Sequence, residues 1–567
     1  MERTNYWTQR VGRRRFVAGA AAGGVGVAGL ALTGCGDDDD DGGDEPTQPS
    51  GSGSQTPDDS AAKEAARKKS TESETLQVRH SQPFASINPW KGLDSGLTWC
   101  WWIYDHLFYT PFDTLKPELM LASSIEQVDN LTFNFKLKDS KFHNKAPING
   151  RPVTALDVKA SFEESKKQPG VSQTTFWSFI FDRIDAPDDK TVTVKLKFPY
   201  GWWNTTDGLS GPINGSIVPE EWAKDPNKMD TDLIGSQRYE FVSHQNGANF
   251  KMKRSPTWRN APAPYLSGIE YKLIQEQAAA IAAFQAGDID SLGFNNKLEA
   301  DQVKGSMGDK VDVVNEQSRS VWTTQVRGDG VYANPNVRKA FNLALDRDEI
   351  IDLLVLGDGV KSGPIPPSFG SAALTEAELE ATYWKTDPAE AKKMLEAAAF
   401  PMDREIEIKF ATLGDNFSKY AEIVAAQIKR NLGLNTKIVG EDLGTWLQQS
   451  LYGGDYKDVI LYPTLAYESP PTYIIMYTKE IGGRPNWGNY VNEALTAAVQ
   501  KADTTVDDED RLQQYKDFQK MAIEDGAPNF VTHVNNSYTG YQTYLKDRVT
   551  GRGSFGLFND NLYIDKS

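Results

Sequence analysis

Cys35 is the residue whose surroundings most clearly predict a chemical modification. The small residues of Leu32-Thr33-Gly34 stand directly before its thiol, as in the cleavage site of a lipoprotein signal. Farther upstream, Arg13-Arg14-Arg15 precedes a weakly apolar, glycine-rich stretch, which is typical of a twin-arginine export signal. We expect residues 1–34 to be removed and Cys35 to carry lipid on the outer face of the cytoplasmic membrane. A spanning helix is the alternative, but the stretch is short and rich in glycine.

Catalytic signatures are nearly absent from the rest of the chain. Two segments match GxGxxG, but Gly24–Gly29 lies in the export signal and Gly551–Gly556 is not surrounded by a βαβ unit. No HExxH, GxSxG or Walker A sequence occurs, and the five histidines show no metal-ligand spacing. We therefore predict no enzyme activity, no cofactor and no metal, while a secreted lipoprotein hydrolase stays open as the alternative.

Composition and charge limit the classes of partner. The 567 residues carry a formal net charge of −17, which argues against a nucleic-acid partner because such a partner needs a basic face. The acidic run Asp37–Asp41 and the Gly/Ser/Pro-rich segment 42–60 bury almost nothing apolar, and we expect residues 35–75 to form a disordered linker. Cys100 is the other cysteine, so a lipidated Cys35 leaves no internal disulfide. We expect a monomer.

Periodicity in the remaining chain predicts mixed α/β structure. Leu131–Lys138 and Thr191–Phe198 alternate apolar and polar residues, which predicts half-buried strands of an antiparallel sheet. Between them, Thr154-Ala155-Leu156-Asp157 resembles a capping box at the start of a helix. A strand at 405–410, a helix at about 417–432 and a strand at 434–440 predict a βαβ unit with parallel pairing.

An apolar face predicts one further helix, and capping residues predict two more. Val337, Ala340, Phe341, Ala344 and Leu345 form one apolar helical face. A second helix begins after the N-cap residue Asp346 and ends near Gly357, and a third begins at Asp387-Pro388 with an N-cap and an N1 proline.

Several segments, in order, resemble the family 5 extracellular solute-binding proteins of ABC importers, which include oligopeptide-, dipeptide- and nickel-binding proteins. The most specific is Asn336–Ile351, and it is supported by Tyr104–Phe108, Leu131–Lys138, Val153–Val158, Ala283–Asp290, Asp387–Leu395 and Arg511–Ala527. The resemblance covers about residues 76–567. It implies a receptor that captures a small solute by closing a cleft and delivers it to a membrane permease.

The family's fold is an α/β periplasmic-binding-protein-like type II fold with three lobes. Two lobes form the cleft, and the third is an extra sheet-rich lobe. Carried onto this chain, the first cleft lobe comprises 76–111 with 234–318 and 534–567, the extra lobe 112–233, and the second cleft lobe 319–533. Because the chain crosses between the cleft lobes several times, the crossings should act as a hinge.

The segment 462–470 bears on the ligand. Peptide binders of this family have a Gly-Trp-x-Ala-Asp-Tyr segment whose aspartate meets the peptide amino group. Here Tyr467 and Pro470 match, but Ala466 stands in place of the aspartate. An ammonium group buried without a partner is costly, so an ordinary peptide pose needs another acid, and Glu468 could supply it.

Aromatic and charged residues near the expected cleft complete the candidate site. Indole faces suit sugar rings and peptide side chains equally, and a cleft arginine favours a carboxylate. The candidate ligand-binding residues are Trp99, Trp102, Arg327, Trp446, Tyr462, Tyr467 and Glu468. Peptide and oligosaccharide both remain open as the solute, and nickel is disfavoured by the sparse histidines.

Overall fold

The computed structural model describes most of the chain beyond its N-terminal segment. The described residues are 57–84, 86–91, 99–111, 116–168, 180–205, 208–211, 214–464, 469–474, 477, 488–549 and 557–567. The predicted export signal, Cys35 and most of the predicted linker therefore lie outside the described residues. Within the described residues, no helix combines the length and the apolar character that crossing a membrane requires.

Helix α1 (Pro57–Ser73) corrects the prediction of a disordered linker up to residue 75. From Ala61 onward this segment consists largely of Ala, Lys, Glu and Arg, which are strong helix formers. The Arg67 guanidinium lies 2.8 Å from the Asp547 carboxylate, and the Ser70 hydroxyl accepts a hydrogen bond from the backbone N–H of Ile564 at 2.9 Å. Residues 66–73 are therefore held by the folded body rather than disordered.

One large sheet, one four-stranded sheet and two two-stranded sheets contain the strands of the described body. The strands are β1 (Thr75–His80), β2 (Phe108–Tyr109), β3 (Glu118–Leu119), β4 (Ala122–Gln127), β5 (Thr132–Leu137), β6 (Phe181–Asp188), β7 (Thr191–Leu196), β8 (Tyr239–Gln245), β9 (Asn249–Arg254), β10 (Gly268–Leu273), β11 (Ser291–Phe294), β12 (Val311–Val326), β13 (Gly359–Lys361), β14 (Ile406–Ala411), β15 (Thr436–Glu441), β16 (Val459–Pro463), β17 (Asn529–Gln542), β18 (Leu545–Lys546) and β19 (Tyr563–Ile564). The two-stranded sheets are β2-β3 and β18-β19.

The described residues also form α-helices along the whole body. After α1 they are α2 (Cys100–Ile103), α3 (Ala155–Ser165), α4 (Glu220–Ala223), α5 (Gln277–Ala286), α6 (Lys297–Met307), α7 (Pro335–Leu343), α8 (Arg347–Val355), α9 (Glu376–Thr382), α10 (Pro388–Ala397), α11 (Asp415–Leu432), α12 (Leu443–Thr445), α13 (Pro470–Ile474), α14 (Glu493–Thr504) and α15 (Asp508–Asp525). A π-helix, Trp446–Leu451, follows α12 directly.

The large sheet has the strand order β15-β14-β16-β12-β17-β11-β1-β10-β9-β8, with β13 paired to β17. We call β1 and β8–β11 the β1 side of this sheet, and β14–β16 the β16 side. The antiparallel strands β12 and β17 run through both sides and join them. Their pairing is irregular at two places. Gln317 pairs with Asn536 but the next pair is Val321 with Val534, which we call the interruption, and one residue of β17 is skipped between the pairs Trp322–His533 and Thr323–Val531.

The smaller sheet, with the order β4-β5-β7-β6, is antiparallel as its alternating sequence predicts. Phe133 and Phe135 of β5 point into its core, opposite Val194 and Val192 of β7. Helix α3 packs on this sheet, and its predicted capping box is confirmed because the Thr154 N–H donates to Asp157 Oδ2 at 2.8 Å. We call β4–β7 and α3, together with residues 201–205 after β7, whose Trp203 packs on Phe133 of β5, the small lobe.

The βαβ unit is confirmed on the β16 side. β14 and β15 pair in parallel from Ile406 with Thr436 onward, and α11 connects them. Gly433 ends α11 in the left-handed region with φ 79°, where a glycine has no steric cost. Asp346 and Asp387 act as the predicted N-caps of α8 and α10.

Candidate functional site

The sheet topology brings the carboxyl ends of two sets of parallel strands toward one place. On the β1 side, Phe294 at the end of β11 pairs with Tyr538 of β17, and β1 runs parallel to β11. On the β16 side, Pro463 at the end of β16 pairs with Trp322 of β12. Both sets therefore point at the interruption between β12 and β17, and ligands of open α/β sheets bind at strand carboxyl ends.

Polar side chains occupy this interruption. Ser318, Arg319 and Ser320 stand in β12 between the ladder pairs Gln317–Asn536 and Val321–Val534, and each is half-buried. Thr464 follows the end of β16, and its backbone N–H donates to the Val321 carbonyl at 2.8 Å. Hydroxyl and guanidinium groups at this point could bind the polar or anionic groups of a solute.

Aromatic side chains flank Arg319. Its guanidinium carbon lies 5.3 Å from the centroid of the Phe369 ring, and that ring packs edge-on against Tyr473 at 5.5 Å. The Tyr473 hydroxyl donates to the Arg319 carbonyl at 2.8 Å, so β12 and α13 are tied together at the interruption. Arg319 is not among the ligand-binding residues predicted from the sequence, although a Ser-Arg-Ser triplet in the middle of a long strand is a detectable signal.

Trp322 and His533 form an aromatic layer next to these groups. Their rings stack with centroids 5.9 Å apart and an interplanar angle of 5°, and Trp322 also packs on Phe417 and Tyr420 of α11. Burial lowers the pKa of His533 to about 3 and raises the pKa of Tyr420 to about 12. The layer is therefore uncharged at neutral pH.

Trp99 and Trp102, both predicted to face the cleft, lie in the core of the β1 side. The Trp102 indole N–H donates to the Tyr271 hydroxyl of β10 at 3.1 Å, and its ring is 2% exposed. The Trp99 ring is 0% exposed and packs 5.2 Å from the ring of Phe250 in β9. The structure therefore places both indoles in the core of the β1 side, although the Trp99 indole N–H finds no acceptor among the described residues. Their role in ligand binding stays a prediction.

Arg327 directly follows the last residue of β12, seven residues beyond the interruption. Its guanidinium donates to both carboxylate oxygens of Asp329 at 2.6 and 2.8 Å, and to the carbonyls of Gly454 and Tyr456 at 2.9 and 2.7 Å. The pKa of Arg327 is raised, first through its hydrogen bond with Asp329. Its position and its occupied donors argue against the predicted ligand contact.

Tyr462 and Trp446 are both buried on the β16 side. The Tyr462 hydroxyl donates to Gln325 Oε1 at 2.6 Å and to Asn529 Oδ1 at 3.0 Å, so it bridges three strands. The Trp446 ring is 4% exposed, and its indole N–H finds no acceptor among the described residues. A buried donor of this kind calls for an explanation, which keeps Trp446 among the candidates.

Tyr467 and Glu468, like Ala466, lie outside the described residues. They stand between Thr464, at the interruption, and Ser469, which precedes α13. Two of the seven predicted ligand-binding residues, Arg327 and Tyr462, belong to one hydrogen-bond network. The Tyr462 hydroxyl contacts the Gln325 amide, which donates to the Tyr456 hydroxyl at 2.8 Å, and Arg327 donates to the Tyr456 carbonyl. Trp99 and Trp102 belong to a separate cluster.

Solved structures of known proteins share the fold of this chain. AgaA of A. tumefaciens R10, solved with agropinic acid, superposes with a TM-score of 0.72 at 21% identity, over 87% of this chain and 99% of that one. AppA of Bacillus subtilis, solved with a nonapeptide, gives a TM-score of 0.71 at 20% identity, over 87% and 100% of the two chains. The predicted α/β type II periplasmic-binding fold is thereby confirmed.

Sequence comparison narrows this class to one family. Residues 116–483 match the family described as bacterial extracellular solute-binding proteins, family 5. The oligopeptide-binding protein AppA of Bacillus subtilis is 24% identical over 75% of this chain and 79% of its own length, and the periplasmic oligopeptide-binding protein OppA of Escherichia coli is 23% identical over 72% and 77%. The chain belongs to the family 5 extracellular solute-binding proteins, as its sequence segments predict.

Proposed function

We propose that this protein is a lipid-anchored extracytoplasmic receptor that captures a peptide-like solute between the two sides of its large sheet and delivers it to an ABC importer permease. One observation carries the proposal: two sets of parallel strands end at the same interruption of β12 and β17. Relatives named as oligopeptide-binding proteins support a peptide as the solute. An oligosaccharide-like solute is the second candidate, favoured by the buried, unbonded indole N–H of Trp446.

We infer that ligand recognition combines three parts. Arg319 supplies a cation for a carboxylate, Ser318 and Ser320 supply hydroxyls, and the segment with Tyr467 and Glu468 supplies an aromatic face and an acid. Glu468 would replace the acid that Ala466 lacks. A ligand that touches both sides favours the closed arrangement by its differential affinity for the two states.

Ligand binding is tested on the mature chain with Cys35→Ser, which removes the lipid. Di- to pentapeptides, the same peptides N-acetylated, and a set of maltose and cellulose oligosaccharides are screened by thermal shift and titrated by calorimetry. A ligand at about 100 times its Kd adds roughly 2.7 kcal/mol to the free energy of unfolding. Stabilisation by peptides alone supports the peptide proposal, and stabilisation by sugars alone contradicts it.

The role of Glu468 is tested with paired peptides. If Glu468 pairs with the amino group, free-amine peptides bind more tightly than acetylated ones, and Glu468→Ala abolishes the difference. Glu441→Ala is the control, because Glu441 is paired with Lys409 at 2.9 Å and lies on β15. A preference for the free amine that survives Glu468→Ala shows that another acid makes the contact.

The hydrolase alternative is tested with the same peptides. Mass spectrometry after prolonged incubation distinguishes bound, unchanged ligand from cleaved product. Among the described residues, no group of three or more His, Cys, Asp or Glu side chains could hold a metal ion. Peptide recovered intact from the complex supports the receptor, whereas turnover that a cleft variant abolishes supports the hydrolase.

A further inference from the structure

Two adjacent tryptophans join the small lobe to the helices of the β16 side. The Trp203 ring packs 4.2 Å from Phe133 and 5.6 Å from Phe108, inside the core of the small lobe. The Trp202 ring points elsewhere, since its indole N–H donates to the Tyr515 hydroxyl of α15 at 2.9 Å. Trp202 and Trp203 are 3% and 7% exposed, so each is enclosed by its own partners.

The surface that receives Trp202 is built from α14 and α15. The Arg511 guanidinium carbon lies 4.8 Å from the Trp202 ring centroid, a cation–π arrangement. The same guanidinium donates to the Thr505 carbonyl at 3.0 Å and to Asp508 Oδ1 at 2.5 Å, which fixes it over the indole. A Cβ at Gly201 would lie 2.5 Å from the Arg511 side chain, so only glycine allows this close approach without displacement.

Asp503 completes the contact from α14. The backbone N–H of Gly201 donates to the Asp503 carbonyl at 2.8 Å, and the Tyr515 hydroxyl donates to the Asp503 carboxylate. A continuous hydrogen-bonded path therefore runs from the Trp202 indole through Tyr515 to Asp503. Backbone, hydroxyl and guanidinium contacts all converge on one dipeptide of the small lobe.

The polypeptide chain connects the small lobe with α14 and α15 by a different route from this contact. The chain leaves the small lobe for the β1 side, reaches the β16 side along β12 through the interruption at residues 318–320, and returns to the β1 side along β17. We take the small lobe to move with the β1 side, which the chain enters directly after it, so that a rotation about that interruption changes the distance between Trp202 and α15. The contact is thus sensitive to the motion that opens or closes the cleft.

We propose that Gly201-Trp202, seated on Arg511, Tyr515 and Asp503, is a latch that holds the small lobe against the β16 side and stabilises the closed arrangement. The structure shows this latch engaged. The latch sets how much of the ligand-free protein is closed, and the apparent ligand affinity scales with that fraction. The effect on ligand affinity rests on the proposed ligand capture, whereas the existence of the latch does not.

Interlobe distance tests the latch without any ligand. In the mature chain with Cys35→Ser, spin labels at Glu126→Cys in the small lobe and Asp517→Cys on α15 report the separation by pulsed electron resonance. Both positions are exposed, and Cys100 is buried and escapes labelling. We expect one short, narrow distance in the parent protein.

Three variants separate the latch from general damage. Trp202→Ala removes both the hydrogen bond and the cation–π contact, Trp202→Phe removes only the hydrogen bond, and Arg511→Lys weakens the cation–π contact. Trp384→Phe is the matched control, because the Trp384 indole N–H donates to the Ser362 carbonyl at 3.0 Å beneath the Lys361 ammonium, entirely on the β16 side.

We expect a second, longer distance to appear in Trp202→Ala and, more weakly, in Trp202→Phe and Arg511→Lys, but not in Trp384→Phe. Where a ligand has been found, Trp202→Ala weakens its apparent affinity about tenfold. Unchanged distances in Trp202→Phe and Arg511→Lys overturn the latch, even if Trp202→Ala fails to fold. Altered distances in a protein that binds none of the tested solutes leave the latch standing and refute only the proposed ligand class.

Discussion

Asp503 makes the stability of this protein depend on pH in a way that one substitution can isolate. Its carboxylate is buried on α14, and its hydrogen-bond partner is the Tyr515 hydroxyl. Burial raises the pKa of Asp503 from 3.8 to about 7, while the Tyr515 hydrogen bond and the Arg511 charge oppose the shift. The pKa of Tyr515 is itself raised by burial, so Tyr515 stays neutral near pH 7.

The sign of the effect follows from the raised pKa. The folded protein holds the Asp503 proton more tightly than the unfolded chain, so this contribution to stability is complete below about pH 4 and is lost as the pH rises through 7. With pKa values of 3.8 in the unfolded chain and about 7 in the folded protein, the loss is about 2 kcal/mol at pH 5 and about 4 kcal/mol at pH 8. The free energy of unfolding of Asp503→Asn, relative to that of the parent, should therefore rise by about 2–3 kcal/mol from pH 5 to pH 8.

Urea unfolding at pH 5, 6.5 and 8, followed by tryptophan fluorescence, measures this difference. Comparing parent and variant at each pH cancels groups that both contain, such as His143, whose pKa is lowered to about 4 by burial. Asp508→Asn is the control, since Asp508 also contacts Arg511 but its side chain is 66% exposed. A difference between parent and Asp503→Asn that is constant from pH 5 to pH 8 would refute the assignment.

Three further changes separate structural residues from binding residues. Arg327→Ala should lower the free energy of unfolding by about 2–4 kcal/mol, because four hydrogen bonds to Asp329 and two carbonyls are lost, and should leave the ligand Kd within twofold in calorimetry. Trp102→Phe should cost about 1–2 kcal/mol in urea unfolding, since it leaves the Tyr271 hydroxyl without its donor, again with unchanged affinity. Cys35→Ala should release the protein from the membrane fraction or block its processing, and a variant that remains lipid-anchored would contradict the lipidation site.

Local signals predicted the secondary structure well. Alternation identified β5 and β7, and side-chain caps at Asp346 and Asp387 located the starts of α8 and α10, because these features depend on a few neighbouring residues. Helix α1 was missed because its polar composition resembles that of the preceding linker. What holds residues 66–73 is contact with residues distant in sequence, such as Asp547.

The candidate site was harder to predict, because whether a side chain faces a cleft depends on tertiary packing. Trp99 and Trp102 have the aromatic character of a binding surface, but α2 turns them into the core against β9 and β10. Arg327 follows the end of β12, eight residues after Arg319, and composition alone does not distinguish these two positions. Tyr467 and Glu468 stay predictions.

The interruption of β12 and β17 connects the architecture to the proposed motion. A continuous ladder through both sides of the large sheet would resist bending, because every backbone hydrogen bond along two long strands would have to distort together. Omitting the pairs between Gln317 and Val321 confines the bend to residues 318–320 and to Asn535 opposite them. Within the polar triplet at 318–320, the Ser318 hydroxyl accepts from the Ser320 N–H at 3.1 Å, and the Ser320 hydroxyl donates to the Thr464 carbonyl at 2.5 Å. Local hydrogen bonds thus replace ladder pairs at the interruption. We infer that hinge and binding surface coincide here, so a ligand that contacts Arg319 acts directly on the residues that bend.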